Sequence, residues 1–380
     1  MSFARLRLAA AGALTLALTL GASPALAQGI DPSSLGEEGA GSLIDGLGSL
    51  PVGSVAGSVG SVGSADFPLG EGSSSPVGEP RPVDPSITES EFLRVERTAG
   101  DYEYWLVTSA AMQREVIVEV VASRGEDTAP VLYLLDGVGS PESSTGWRGA
   151  GEIADRMADE DVHVVNPAGA YAAYWTDWEA EDPTLGYNQW ETFLTEELPG
   201  IVDSQLDTTE KSAIGGISMG GQAAMHLAAT YPELYDGVMS FSGNYSTMDQ
   251  LGYQTIRLSV ETRGGDVDNM WGPHGSERWR ENDTISHPEG LRGKAVYFSS
   301  GNGEVGPEDR EVYGDDLQDL AVGLVLERGV LEGTKAFERA LDREGIEHRV
   351  DYAPTGLHNW STFMRYFDEG WEHIKPALQG

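Results

Sequence analysis

Apolar positions fall into three regimes along this chain. Behind Arg5 and Arg7, an apolar run from Leu8 to Leu20 leads into small residues ending at Ala27. From Gln28 to about Ser86 the chain is Gly, Ser, Val, Leu and Pro with few aromatics, and Gly-Ser-Val recurs at Gly53, Gly57 and Gly60. Regular periodicity begins near Glu91. Phe92–Val95, Tyr104–Thr108 and Val116–Val121 read as early strands, with turns at Gly100-Asp101 and Ala111-Met112. The continuous apolar run Val131–Leu135 suits a central strand buried on both faces. Helical patterning follows around residues 149–159, then a strand at Val162–Val165 and a helix over Trp190–Gln205. Strands are predicted at Ser212–Ile217, Val238–Phe241, Ala295–Ser299 and His348–Tyr352. Helices are predicted over Gln222–Tyr231, as a pair across about Asp316–Gly345, and from Ser361 onward. The interval Asn244–Leu291 shows little period and reads as an inserted loop or lid.

Strands alternating with helices imply a mainly parallel central sheet with helices on both faces. The antiparallel-looking start, together with a serine turn described below, narrows this α/β pattern to the α/β-hydrolase fold. Three segments follow from the regimes. Residues 1–27 have the charged start, short apolar run and small-residue exit of a signal peptide, which predicts a secreted, extracellular or cell-envelope protein. Residues 28–87 form a Gly/Ser/Pro-rich tether too poor in large side chains to offset its ordering entropy. Residues 88–380 form the catalytic domain. No later stretch approaches the 18 or so apolar residues of a membrane helix, so no integral span is expected.

Charge narrows the partners. Against 24 Lys and Arg stand 61 Asp and Glu, a formal charge of -37, which repels nucleic acid and anionic lipid alike. There are no cysteines, so thiol chemistry, thiolate metal sites and disulfides are excluded. Neither an H-E-x-x-H metal motif nor a Walker-type phosphate loop is present, and no cofactor is expected.

The chemistry centres on Gly216-Ile217-Ser218-Met219-Gly220, a G-x-S-x-G turn between an apolar strand and a helix. The two glycines permit a crowded turn that lifts the serine hydroxyl above the helix N-terminus. A serine needs a base to take its proton. Of seven histidines, His358 alone sits in a loop between the last strand and a helix, on the edge that the elbow shares. The order serine, acid, histidine then demands an Asp or Glu between them. Position favours the loop after Ala295–Ser299, hence Glu304 or Asp309, and pattern does not choose between these and Glu327. An oxyanion hole needs two backbone N–H groups, assigned to Met219 and to Val138 in the turn after Val131–Leu135.

Read together, these motifs resemble the secreted mycolyltransferases of mycobacteria and corynebacteria, the antigen 85 type. The matching segments are Tyr133-Leu134-Leu135-Asp136-Gly137, Tyr174-Trp175-Thr176-Asp177-Trp178, Trp190-Glu191-Thr192-Phe193-Leu194-Thr195-Glu196-Glu197-Leu198-Pro199, the serine turn itself, Met270-Trp271-Gly272-Pro273, Asn282-Asp283, Gly301-Asn302-Gly303 and Gly356-Leu357-His358-Asn359-Trp360. The likeness spans roughly Phe92 to Lys375. It implies that the acid is Glu327 and that Asp136 and Trp360 contact a sugar. It also implies acyl transfer from trehalose monomycolate to a second trehalose monomycolate or to cell-wall arabinogalactan. Departures fall at the sugar end: Gly139 stands where the mycobacterial turn has Arg, and Ser144-Thr145 precede Gly146-Trp147 where that family has Tyr-Asn. Ser299 or Ser300 replaces a family cysteine. Two other functions compete with a serine acyltransferase: a carboxylesterase with water as acceptor, and an envelope adhesin that keeps the fold without catalysis.

Overall fold

Strand-forming runs dominate the first part of the described chain, and nine strands join in one sheet. The computed structural model describes residues 82–125, 128–314 and 316–379; the signal-peptide segment and almost all of the tether lie outside them. The strands are β1 (Phe92–Ala99), β2 (Tyr102–Ser109), β3 (Arg114–Val121), β4 (Ala129–Leu135), β5 (His163–Pro167), β6 (Thr208–Ile217), β7 (Gly237–Phe241), β8 (Ala295–Ser300) and β9 (Arg349–Tyr352). Their order across the sheet is β1-β2-β3-β5-β4-β6-β7-β8-β9. The first three strands and the β3–β5 pair are antiparallel, whereas β5, β4, β6, β7, β8 and β9 run parallel. This is the α/β-hydrolase arrangement. As β1 runs against β4, the chain enters the sheet at the edge strand on the same side as the carboxyl ends of β4 and β6. The N–H of Asp84 already donates to the carbonyl of Gln113 at 2.6 Å.

The main helices are α1 (Leu198–Gln205), α2 (Ser218–Thr230), α3 (Gln250–Glu261), α4 (Pro307–Tyr313), α5 (Leu317–Glu344), α6 (Trp360–Met364) and α7 (Phe367–Leu378). One sheet face packs on α1, α2 and the second half of α5, through Leu198, Leu227, Phe337 and Leu341. The opposite face packs on α7 and the segment around Trp147, through Trp371, Ile374 and Ile153.

Several helical expectations need correction. The pair across Asp316–Gly345 is one helix of 28 residues, and its partner is the separate α4. Gly323, Gly329 and Gly333 suggest a break, but they serve close packing. A Cβ at Gly323 would lie 2.5 Å from the Tyr313 hydroxyl, and one at Gly333 would lie 2.8 Å from Asn244 Oδ1. The interval Asn244–Leu291 is not a loop. It contains α3 and the short helices Val267–Trp271 and Glu277–Glu281, whose caps are Asp249, Asp266 and Ser276. Buried Trp271 and Trp279 stack edge-on within it at 5.1 Å, and Asp283 accepts from the N–H groups of Thr247 and Met248. The helix over residues 149–159 is two short turns, Gly146–Gly149 and Ile153–Arg156, parted where Glu152 takes a positive φ. The helix over Trp190–Gln205 contains a π turn, Phe193–Glu197, just before Pro199, which has no N–H for the carbonyl one turn back. The last helix divides into α6 and α7.

Candidate active site

The elbow follows from its glycines. Strand β6 ends at Ile217 and α2 begins at Ser218, whose φ of 52° is a left-handed value for a side chain that rarely adopts it. A Cβ at Gly216 would overlap the Gly220 carbonyl, and one at Gly220 would overlap the carbonyl oxygens of Leu135 and Asp136. Two bare backbones therefore close the turn and bring the start of α2 against the end of β4. Here Gly is required because no side chain fits.

Three chain segments then converge on the serine. Ser218 Oγ lies 2.8 Å from His358 Nε2, and His358 Nδ1 lies 2.7 Å from Glu327 Oε2. Glu327 is fully buried, and its other oxygen accepts from Ser242 Oγ and from the Gly301 N–H, each at 2.6 Å. A buried carboxylate needs such donors to remain charged. Glu327 comes from the middle of α5, whereas His358 sits in the loop after β9. Gly323, one turn before Glu327 on α5, accepts the His358 N–H at 3.1 Å. Of the alternatives that pattern left open, Glu304 accepts only through its backbone from the Gly356 N–H. Asp309 binds the loop around His358, not its ring.

Val138 follows directly on Gly137, whose Cβ position would lie 3.5 Å from the Ser218 Cβ. The turn is held by Trp175 Nε1 donating to the Asp136 carbonyl at 2.9 Å and by the Ala172 N–H donating to the Val138 carbonyl at 3.0 Å. Neither the Val138 nor the Met219 N–H donates to an acceptor among the described residues, and Met219 lies in the first turn of α2, where helix N–H groups have no internal partner. The arrangement can hand a proton from a serine to an imidazole.

The family model described as putative esterase matches residues 109–374, most of the chain. The chain belongs to the putative esterase family. Among curated relatives of this chain is the diacylglycerol acyltransferase/mycolyltransferase Ag85A of Mycobacterium leprae, 29% identical over 289 residues, 73% of this chain and 82% of the relative. The corresponding Ag85B of Mycobacterium avium has the same identity and coverage. Among solved structures, Mycobacterium tuberculosis MPT51 shares the fold with a TM-score of 0.63 and 24% identity, over 74% of this chain and all of that one. An S-formylglutathione hydrolase from Agrobacterium tumefaciens does so at 0.56 and 16%, over 76% of this chain and 99% of that one.

Beside Ser218, His358 and Glu327 lies a second group of residues. Asp136, Gly146, Trp147 and Trp360 come together: Asp136 Oδ2 accepts the Gly146 N–H at 2.8 Å, and the two indoles meet edge to face at 5.4 Å. A Cβ at Gly146 would overlap the Trp360 ring. Asp136 is 3% exposed and its Oδ1 has no partner among the described residues. Burial pushes its carboxyl up to about 7, with nearby Glu119 adding to the shift. Glu119 is a residue that sequence reasoning missed. Its two oxygens accept from Ser144 Oγ at 2.9 Å and Thr145 Oγ1 at 2.5 Å, pinning the loop that supplies the Gly146 N–H. Burial raises its pKa as well. The available signal was a Glu inside the apolar run Val116–Val121 of strand β3. Among the described residues no three His, Asp or Glu side chains are grouped to hold a metal ion, and no helix is long and apolar enough to cross a membrane.

Proposed function

We propose that this protein is a serine acyltransferase that moves a long-chain mycolyl group from trehalose monomycolate to a second trehalose monomycolate or a cell-wall sugar. The observation that carries this reading is the unbroken Ser218–His358–Glu327 hydrogen-bond chain in a protein whose relatives are named mycolyltransferases. Ser218 Oγ attacks the ester carbonyl carbon while His358 Nε2 takes its proton. The Val138 and Met219 N–H groups receive the developing oxyanion, and Glu327 holds the imidazole tautomer and the imidazolium. Collapse expels the trehalose oxygen, which takes the proton from Nε2, and leaves an acyl group on Ser218. An acceptor hydroxyl then repeats the sequence in reverse, oriented by Asp136 and Trp360. Transfer rather than hydrolysis rests on that orientation. Export to the cell envelope belongs to the same proposal and is supported by the signal-peptide pattern of residues 1–27.

One observation favours a second reading, a carboxylesterase with water as acceptor. Gly139 replaces the Arg of the mycobacterial turn, and the hydroxyls of Ser144 and Thr145 are turned to Glu119. The test is product analysis of purified protein with trehalose monomycolate, with Ser218→Ala as control. Trehalose dimycolate plus free trehalose, absent with the variant, is the expected result. Free mycolic acid alone would establish the esterase, and activity surviving in Ser218→Ala would remove the serine mechanism.

A further inference from the structure

Position along the chain favours Asp309 as the acid on the imidazole, yet its carboxylate is bonded to the backbone that carries the imidazole. Asp309 Oδ1 accepts from the Leu357 N–H at 3.1 Å and from Asn359 Nδ2 at 2.7 Å, the residues on either side of His358. Its Oδ2 accepts from the Gly306 N–H at 2.7 Å. Asp309 is 1% exposed, and no Lys, Arg or His lies at ion-pair distance from it among the described residues. An unpaired buried carboxylate is a costly choice, offset here by three N–H donors, and hydrogen bonds to an ionised acceptor are about twice as strong as neutral ones.

The same helix makes a second contact. Tyr313, one turn along α4, donates its hydroxyl to the His358 carbonyl at 3.2 Å. The missing side chain of Gly323 allows that hydroxyl to approach. Asn359, with its amide given to Asp309, uses its Oδ1 to cap α6 through the Thr362 N–H at 3.1 Å. That helix carries Phe363, whose ring meets the His358 ring edge-on at 4.9 Å. So α5 grips His358 by its N–H and its ring, while α4 grips its carbonyl and both neighbours.

We propose that Asp309, assisted by Tyr313, is a positioning residue for the general base, holding the His358 loop so that Nε2 stays in register with Ser218 while Nδ1 stays on Glu327. The proposal rests on the reading of His358 as that base. In Asp309→Asn, whichever way the amide turns, its NH2 group faces an N–H donor and at least one bond is lost. A base displaced by a fraction of an ångström slows proton transfer in both half-reactions, so kcat and kcat/KM should fall together, by about 10- to 100-fold.

The experiment measures hydrolysis of a p-nitrophenyl acyl ester by wild type, Asp309→Asn, Tyr313→Phe and Ser218→Ala, each rate divided by the active sites titrated with a fluorophosphonate. Per-site rates remove any fraction that misfolds. Tyr313→Phe loses a single hydroxyl at the surface of α4 and should show a smaller drop in the same direction, even if Asp309→Asn does not fold. Wild-type kcat per site, or a loss that falls on KM alone, in whichever of the two variants folds would overturn the proposal while leaving an inactive Ser218→Ala, and hence the triad, intact. Activity retained by Ser218→Ala would instead remove the catalytic reading, and this proposal with it.

Discussion

Replacing Asp136 by Asn should change how stability depends on pH. The folded carboxyl titrates near 7 because it is buried and lies close to Glu119, and the unfolded one near 4. Between those limits the folded protein holds a proton that the unfolded chain has released. The contribution is therefore present at low pH and is lost as pH rises through 7, at about 1.4 kcal/mol per pH unit. From pH 5 to pH 8 the wild type should lose about 3 kcal/mol by this route. Asn has the same shape, can accept the Gly146 N–H, and does not titrate. Groups other than the coupled Glu119 titrate alike in both proteins, so the difference between them isolates Asp136 and its coupling to Glu119. Thermal unfolding of both at pH 5 and pH 8 should show Asp136→Asn gaining on the wild type by about 3 kcal/mol, a relative change of roughly 5 °C in midpoint. A difference that stays constant between the two pH values would mean that Asp136 is already ionised at pH 5 and that burial does not govern it.

Glu327→Gln keeps the shape of the acid and its acceptor for Ser242 and Gly301 but removes the charge beside the imidazolium; kcat should fall on the order of 10³-fold or more with little change in substrate binding, measured by ester hydrolysis per titrated site. In Gly220→Ala the added methyl would strike the Leu135 and Asp136 carbonyls, which belong to backbone and cannot swing aside. It should cost about 2 kcal/mol in stability and slow fluorophosphonate labelling of Ser218, and wild-type values for both would refute the packing account of the elbow.

Every strand shows in the sequence at least in part, but the second half of β1 and the start of β6 were missed, because only a strand buried on both faces must be a continuous apolar run and Thr208–Lys211 are not buried. The helices were less legible. Gly323, Gly329 and Gly333 look like breaks until their neighbours Tyr313, Leu251 and Asn244 are seen. Helix α3 is polar over much of its surface, and its start was marked only by the Asp249 cap. Ser218 and His358 were legible because each sits at a junction of elements with its own local pattern. The acid was not legible from pattern, since a chain with 61 acidic residues offers many in range; the resemblance pointed to Glu327, which is the carboxylate that meets the His358 ring. The contacts of Glu119 and Asp309 were hidden for the same reason, and Asp309 entered only as a candidate acid: their partners lie 25 to 50 residues away.

The entry of the chain through edge strand β1 has a consequence for orientation. The first residue of β1 lies on the same side of the sheet as the elbow, five strand spacings away from β6, which is roughly 24 Å at about 4.8 Å per strand. A pull applied at the start of β1 would therefore reach the molecule on the side of Ser218 and not behind it. Held by that end against a surface, the protein would turn the serine's side of the sheet toward what it is fastened to.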